Sequence, residues 1–82
     1  MNGKEWAEGR MENIRRKYGE KAEEWKKEGD DRLIYCNMYN RMMEGLEWLK
    51  EDTPSFVVVA MTSKCFEYRA DMDEILERFK DK

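Results

Sequence analysis

The sequence predicts an α+β fold in the order α-α-β-β-α, with two long antiparallel helices and a C-terminal helix packed on a two-stranded antiparallel hairpin. Three observations support this prediction. Apolar residues recur at helical spacing through the first fifty positions, residues 56–61 form an uninterrupted apolar run, and residues 65–69 alternate between apolar and polar. A chain of 82 residues is long enough for one core, so residues 1–82 are predicted to form a single compact domain.

The first helix is predicted to begin almost at the first residue. Asn2 followed three residues later by Glu5 is a capping-box pattern. A narrow apolar stripe follows at spacings of three and four residues: Ala7, Met11, Ile14, Tyr18, Ala22 and Trp25. Gly19 interrupts this stretch at a cost of about 1 kcal/mol relative to alanine, so one continuous helix and a break after Tyr18 both remain open.

The second helix is predicted at about residues 31–51. Gly29 is placed to end the first helix in the left-handed region, and the pair Asp30-Asp31 can cap the second. One broad arc of this helix is apolar and is predicted to form the centre of the core: Tyr35, Cys36, Met38, Tyr39, Met42, Met43, Leu46 and Leu49. Trp48 falls on the opposite, polar arc and is predicted to be exposed.

The hairpin is predicted to follow Pro54, which cannot continue a helix begun before it. The run 56–61 has the β-branched composition of a strand buried on both faces, so Phe56 and Val58 are predicted to join Leu46 in the core. Residues 62–64 would then form the turn and residues 65–69 the second strand.

The last helix is predicted to start at Asp71. Asp71 and Glu74 repeat the capping-box spacing, and Met72, Ile75 and Phe79 follow at helical spacing. The short acidic set that includes Asp73 could also hold a divalent cation, which leaves a carboxylate-metal hydrolase as a further alternative function. The helix macrodipole explains carboxylates at a helix start more simply, so no metal and no cofactor are predicted.

Composition argues against most enzyme chemistry. The chain contains no histidine, which removes the commonest general base, and no glycine-rich phosphate loop. Cys36 and Cys65 show no paired spacing and are expected to be reduced core thiols. No stretch approaches the roughly 20 apolar residues of a membrane helix. We therefore expect a cytoplasmic protein with no catalytic residues and no membrane contact.

One basic cluster is weighed as a nucleic-acid contact. Its members lie on the first helix: Arg10, Arg15, Arg16, Lys17 and Lys21. Glu12 and Glu20 flank the cluster, and the net charge of the chain is −3, so a nucleic-acid partner is disfavoured. A small nucleic-acid-binding regulator remains the alternative hypothesis.

Binding of another protein is the function that the sequence favours. Trp6 lies off the stripe of the first helix, and Trp48 lies on the polar arc of the second beside Arg41 and Glu44, so these four residues are the predicted partner contacts. The open edges of a two-stranded sheet further predict a homodimer.

In size and composition this short, acidic, histidine-free chain resembles the small accessory proteins of phages and mobile elements, including inhibitors of host defence such as anti-CRISPR proteins. The resemblance rests on no motif. It implies a role in which the chain inhibits a host protein by stoichiometric binding.

Overall fold

Three helices form an up-down-up bundle in the computed structural model, which describes residues 2–80. The helices are α1 (Gly3–Glu24), α2 (Asp31–Glu47) and α3 (Ser55–Arg78). The bundle is elongated, with extents of 43 × 18 × 17 Å. Met1, Asp81 and Lys82, which the single-domain prediction includes, lie outside the described residues.

The register of the helices follows from a few contacts. Gly3 lies beside Val58, and the Tyr18 hydroxyl is hydrogen-bonded to Asp73. The two residues of each pair are 55 positions apart in the sequence, so α1 and α3 run parallel. The helix α2 runs antiparallel to α1: the Cys36 thiol reaches the carbonyl of Ala22, and Tyr39, further along α2, lies beside Gly19, which comes earlier on α1. The side chains of all three helices meet in one core.

Residues from every helix are buried in that core. Six large side chains are almost fully buried: Ile14, Tyr18, Tyr35, Met42, Leu46 and Met72. The two tyrosines keep their hydroxyls satisfied, since Tyr35 donates to the carbonyl oxygen of Tyr18 at 2.9 Å and Tyr18 donates to Asp73 at 2.8 Å. The prediction that Leu46 is a core residue is confirmed.

The predicted hairpin is wrong, and so is the α+β fold class. Between residues 2 and 80 the structure contains no strand, and residues 56–69 lie inside the continuous helix α3. The physical reason is that Val58, Met61 and Cys65 are already in helical phase with the C-terminal stripe, so one helix buries them all on the same side. Asp71 is consequently an interior residue of α3 and not the start of a helix.

Two boundaries also differ from the prediction. The helix α2 ends at Glu47 and not near residue 51. Its last turn tightens into hydrogen bonds between residues three apart, such as that from the Leu49 N–H to the Leu46 carbonyl. Beyond it, Thr53 Oγ1 accepts a hydrogen bond from the Lys50 N–H at 2.7 Å. Gly29 has no positive φ; Asp30 adopts φ 60° instead and caps α2 by accepting from the Arg32 N–H.

The first helix is predicted correctly at its start. Asn2 accepts from the Glu5 N–H at 2.9 Å, as the capping box requires. The helix continues through Gly19 without a break. A Cβ at position 19 would lie 3.0 Å from the Tyr39 hydroxyl, so glycine there permits the close approach of α1 and α2.

Candidate protein interface

A run of exposed apolar residues lies on the first half of α3. Phe56, Val59 and Phe66 are 76%, 63% and 73% exposed, although all three are large apolar residues. With the small side chains between them they form one helix face, which we call the outer face of α3: Phe56, Val59, Ala60, Ser63, Phe66 and Ala70. All six of these residues are exposed.

This face exists because α3 is apolar on two sides. Its inner stripe, which begins with Val58 and Met61 and continues through Cys65, packs on the rest of the bundle. A helix in a three-helix bundle can turn only part of its circumference to its neighbours, so a second apolar stripe remains in contact with solvent. Single exposed apolar residues are ordinary, but a contiguous patch of them is typical of an interaction site.

The start of α3 is electrostatically uncompensated. Among the described residues, no side chain caps this helix, and its first turn contains no acidic residue. The exposed N–H groups at a helix start carry partial positive charge, which an acidic group would stabilise. Glu67 lies on the same side as the outer face, three turns further along, and forms only a loose ion pair of 3.9 Å with Lys64.

Trp6 of α1 lies next to the outer face of α3 and away from the other predicted partner contacts, which are on α2. It is partly buried at the start of α1, and with Val58 and Val59 of α3 it lines an open groove. The guanidinium carbon of Arg10 lies 5.6 Å from the centroid of the Trp6 ring, a cation–π contact. Because Val59 belongs to both the groove and the outer face, Trp6 extends the apolar surface towards α1.

The other three predicted partner contacts lie on α2. Trp48 is the C-cap residue and is 80% exposed, as its polar-arc position predicts. Arg41 and Glu44 are exposed on the same side of α2 at spacings of seven and four residues from Trp48. The structure thus brings Trp48, Arg41 and Glu44 to one helix side and places Trp6 elsewhere.

The basic residues weighed for nucleic-acid contact do not act as one surface. Three of them contact acidic side chains: Arg16 pairs with Glu12 at 3.0 Å, Lys21 with Glu24 at 3.2 Å, and Lys17 reaches Asp73 on α3 at 3.4 Å. The nearby Tyr18 hydroxyl raises the pKa of Lys17, and Asp73 raises it to a smaller extent.

Arg10 covers Trp6, as described above, while Arg15 points to a shallow cavity beside Gly19 and Tyr39. These five cations therefore point in several directions around α1, and most of them already have a partner.

The two cysteines are buried in the core, and the acidic residues near position 73 lie beside basic side chains. Cys36 and Cys65 are both free and buried, and burial raises the pKa of each thiol. Asp73 faces α1, while Glu74 lies 3.9 Å from Arg78 on its own helix. Within residues 2–80 no group of three histidine, cysteine, aspartate or glutamate side chains is arranged to hold a metal ion.

The outer face of α3 was not predicted from the sequence, although a signal for it is present. Positions 56, 59, 63, 66 and 70 are spaced by three and four residues, and a strand pattern has no reason to produce that spacing. No helix within residues 2–80 is long and apolar enough to cross a membrane. Comparison of the chain with models of protein families, with curated proteins and with solved structures finds no match.

Proposed function

We propose that this chain is a protein-binding module without catalytic activity, and that the outer face of α3 is its principal binding surface. The observation that supports the proposal is the exposure of Phe56, Val59 and Phe66 on one helix face. Large aromatic residues of this kind are the usual energetic centre of protein interfaces.

The surroundings of this face fit the same role. Charged residues dominate the chain as a whole, at 43% of the sequence, whereas the six residues of the outer face carry no charge. Interfaces combine such an apolar centre with a polar rim, which Lys64 and Glu67 supply here. A stoichiometric inhibitor, the class that the chain resembles in size and composition, would bind its target through a surface of this type.

Site-specific photocrosslinking in cells of the source organism tests the proposal. Replacement of Phe66 by the photoreactive analogue p-benzoylphenylalanine keeps an aromatic side chain at an exposed position, so the fold should not change. We expect irradiation to give a discrete covalent product with a protein. The matched control carries the analogue in place of Glu20, which is exposed on α1 away from both candidate surfaces, and should give none.

A third variant with the analogue in place of Trp48 separates the two candidate surfaces. A product from position 48 but none from position 66 would contradict the assignment of α3 and favour the side of α2 with Arg41 and Glu44. The absence of a product from both positions would contradict the protein-binding role itself.

A further inference from the structure

We infer that the outer face of α3 binds a second copy of this chain, so that two α3 helices pair antiparallel about a two-fold axis level with residue 61. This inference rests on the protein-binding role proposed above and names the partner. Three features of α3 carry it: the spacing of its apolar residues, the position of one charge, and the area available for burial.

The spacing of the outer face is self-complementary. In an antiparallel pair centred at position 61, residues equally distant from that position lie opposite each other. Phe56 of one copy then meets Phe66 of the other, and Val59 meets Ser63. Every large residue of the face thus finds a partner, and each of these contacts occurs twice because the interface is two-fold symmetric.

The same residues follow the seven-residue repeat of paired helices. Phe56, Ser63 and Ala70 occupy one core position of that repeat, and Val59 and Phe66 occupy the other. Small side chains at positions 60 and 63 lie near the centre, where they permit the two backbones to approach closely. Aromatic pairs then close the interface at both ends.

The charges agree with the antiparallel arrangement. Glu67 and Ser55 lie equally far from position 61, on opposite sides, so the Glu67 carboxylate of one copy is placed beside the first turn of α3 in the other. That turn lacks both a side-chain cap and an acidic residue of its own. A carboxylate from the second copy would supply the missing negative charge at the positive end of the helix macrodipole.

The exposed area sets the strength of the pair. At about three-quarters exposure, each phenylalanine offers on the order of 150 Å². With the residues around them, the face can bury roughly 500 Å² per copy, or about 1,000 Å² in total, the lower limit for a specific interface. We therefore expect a reversible dimer with a dissociation constant in the micromolar range.

Sedimentation equilibrium over micromolar to sub-millimolar concentrations tests this inference. The parent should shift from monomer to dimer across that range. Phe66→Ser should weaken the dimer by at least about thirtyfold, the effect of losing one interface hot spot, while Ile34→Ser should leave it unchanged. Both replaced side chains are exposed, and matched thermal melts would show that both variants fold.

Disulfide formation between two single variants tests the orientation. In a mixture of Val59→Cys and Ser63→Cys under mild oxidation, the mixed disulfide should form faster than either homotypic one, because these two positions face each other in the antiparallel pair. The native thiols, Cys36 and Cys65, are buried and provide the background rate in the parent chain. Faster homotypic pairing at position 59 would overturn the antiparallel arrangement.

The outcomes separate this inference from the proposed function. A chain that stays monomeric throughout, yet crosslinks from position 66 to a different protein, would overturn self-association and leave the binding role intact. A dimer that Phe66→Ser does not weaken would overturn the assignment of the face.

Discussion

The Tyr18 hydroxyl donates a hydrogen bond of 2.8 Å to Oδ1 of Asp73, and this bond joins α1 to α3, the two helices that are not adjacent in the chain. The Tyr18 ring is fully buried, while the Asp73 side chain is about half exposed. Lys17 approaches the same carboxylate oxygen at 3.4 Å. The contact therefore fixes the parallel register of α1 and α3 at one point of the bundle.

Tyr18→Phe removes this bond without changing the shape of the core. Because Asp73 can still bind water and Lys17, we expect the free energy of unfolding to fall by about 1 kcal/mol and not by the larger cost of stranding a buried charge. Urea denaturation measures the change. The control is Asp73→Asn, which keeps an acceptor oxygen for Tyr18. A loss of several kcal/mol in either variant would contradict the expectation that this hydrogen bond contributes only about 1 kcal/mol.

The stability of the bundle should decrease at alkaline pH. Burial raises the pKa of Cys36 and Cys65, so the unfolded thiols ionise at a lower pH than the folded ones, and Tyr35 adds the same effect at higher pH. A pKa raised on folding contributes stability that is complete below the unfolded value. We therefore expect the free energy of unfolding to be level near neutral pH and to fall above about pH 8.5.

Urea denaturation at a series of pH values checks this prediction. A variant with Cys36→Ala and Cys65→Ala should be less stable at pH 7, since it loses packing, but its stability should fall less between pH 8 and about pH 10. Equal slopes for the parent and the variant would show that the thiols are not responsible.

The first helix could be predicted from the sequence, because its signals are local and consistent. The Asn2 cap and the stripe from Ala7 to Trp25 both indicate a helix, and the stripe keeps its phase across Gly19. The exposure of Trp48 could be predicted for the same reason, since it depends only on the helical phase of α2. In both cases the residue pattern of a single helix determines the result.

The third helix could not be identified from its composition, because a short apolar run rich in valine fits a buried strand as well as a helix. Only the wider context resolves the ambiguity. Residues 56–70 contain no glycine, proline, asparagine or aspartate to form a hairpin turn, and the stripe from Val58 to Ile75 never changes phase. A strand over residues 56–61 places Phe56 in the core of a sheet, so the strand prediction also hides the outer face of α3.

Two glycines of α1 should respond in opposite ways to alanine. A Cβ at Gly9 would meet nothing within 4 Å, so Gly9→Ala should stabilise the helix by about 1 kcal/mol. A Cβ at Gly3 would lie 2.8 Å from the backbone oxygen of Lys50, which cannot move aside as a flexible side chain would. Gly3→Ala should therefore lower the melting temperature. The prediction fails if both variants shift the melting temperature in the same direction.

The two tryptophans at the ends of their helices should separate folding from surface effects. Trp25 is buried, with its ring centroid 5.1 Å from that of Tyr35 in an edge-on contact and 5.4 Å from that of Phe79 in a tilted one. Trp25→Ala should therefore cost about 3–5 kcal/mol. Trp48 is largely exposed, so Trp48→Ala should change the free energy of unfolding by no more than about 0.5 kcal/mol. Paired thermal melts compare them, and strong destabilisation by Trp48→Ala would place that side chain in the core.

Lys64 distinguishes a continuous α3 from a hairpin most directly. It is exposed, lies in the interior of α3, and would occupy the turn if residues 56–69 were two strands. In a helix, Lys64→Gly should lower the free energy of unfolding by about 1 kcal/mol and Lys64→Pro by about 3 kcal/mol or more. Proline removes a backbone hydrogen bond, and its ring clashes with the preceding turn. In a hairpin turn, glycine would be neutral or stabilising.

Lys64→Ala is the matched control, since it removes the same contacts with Glu67 and Tyr68 but keeps the helix propensity. Chemical denaturation of the three variants should rank them alanine, glycine, proline in decreasing stability, with a loss of helical circular dichroism in the proline variant. A glycine variant as stable as the alanine variant would contradict a helix through position 64, and with it the helix face on which the proposed interface depends.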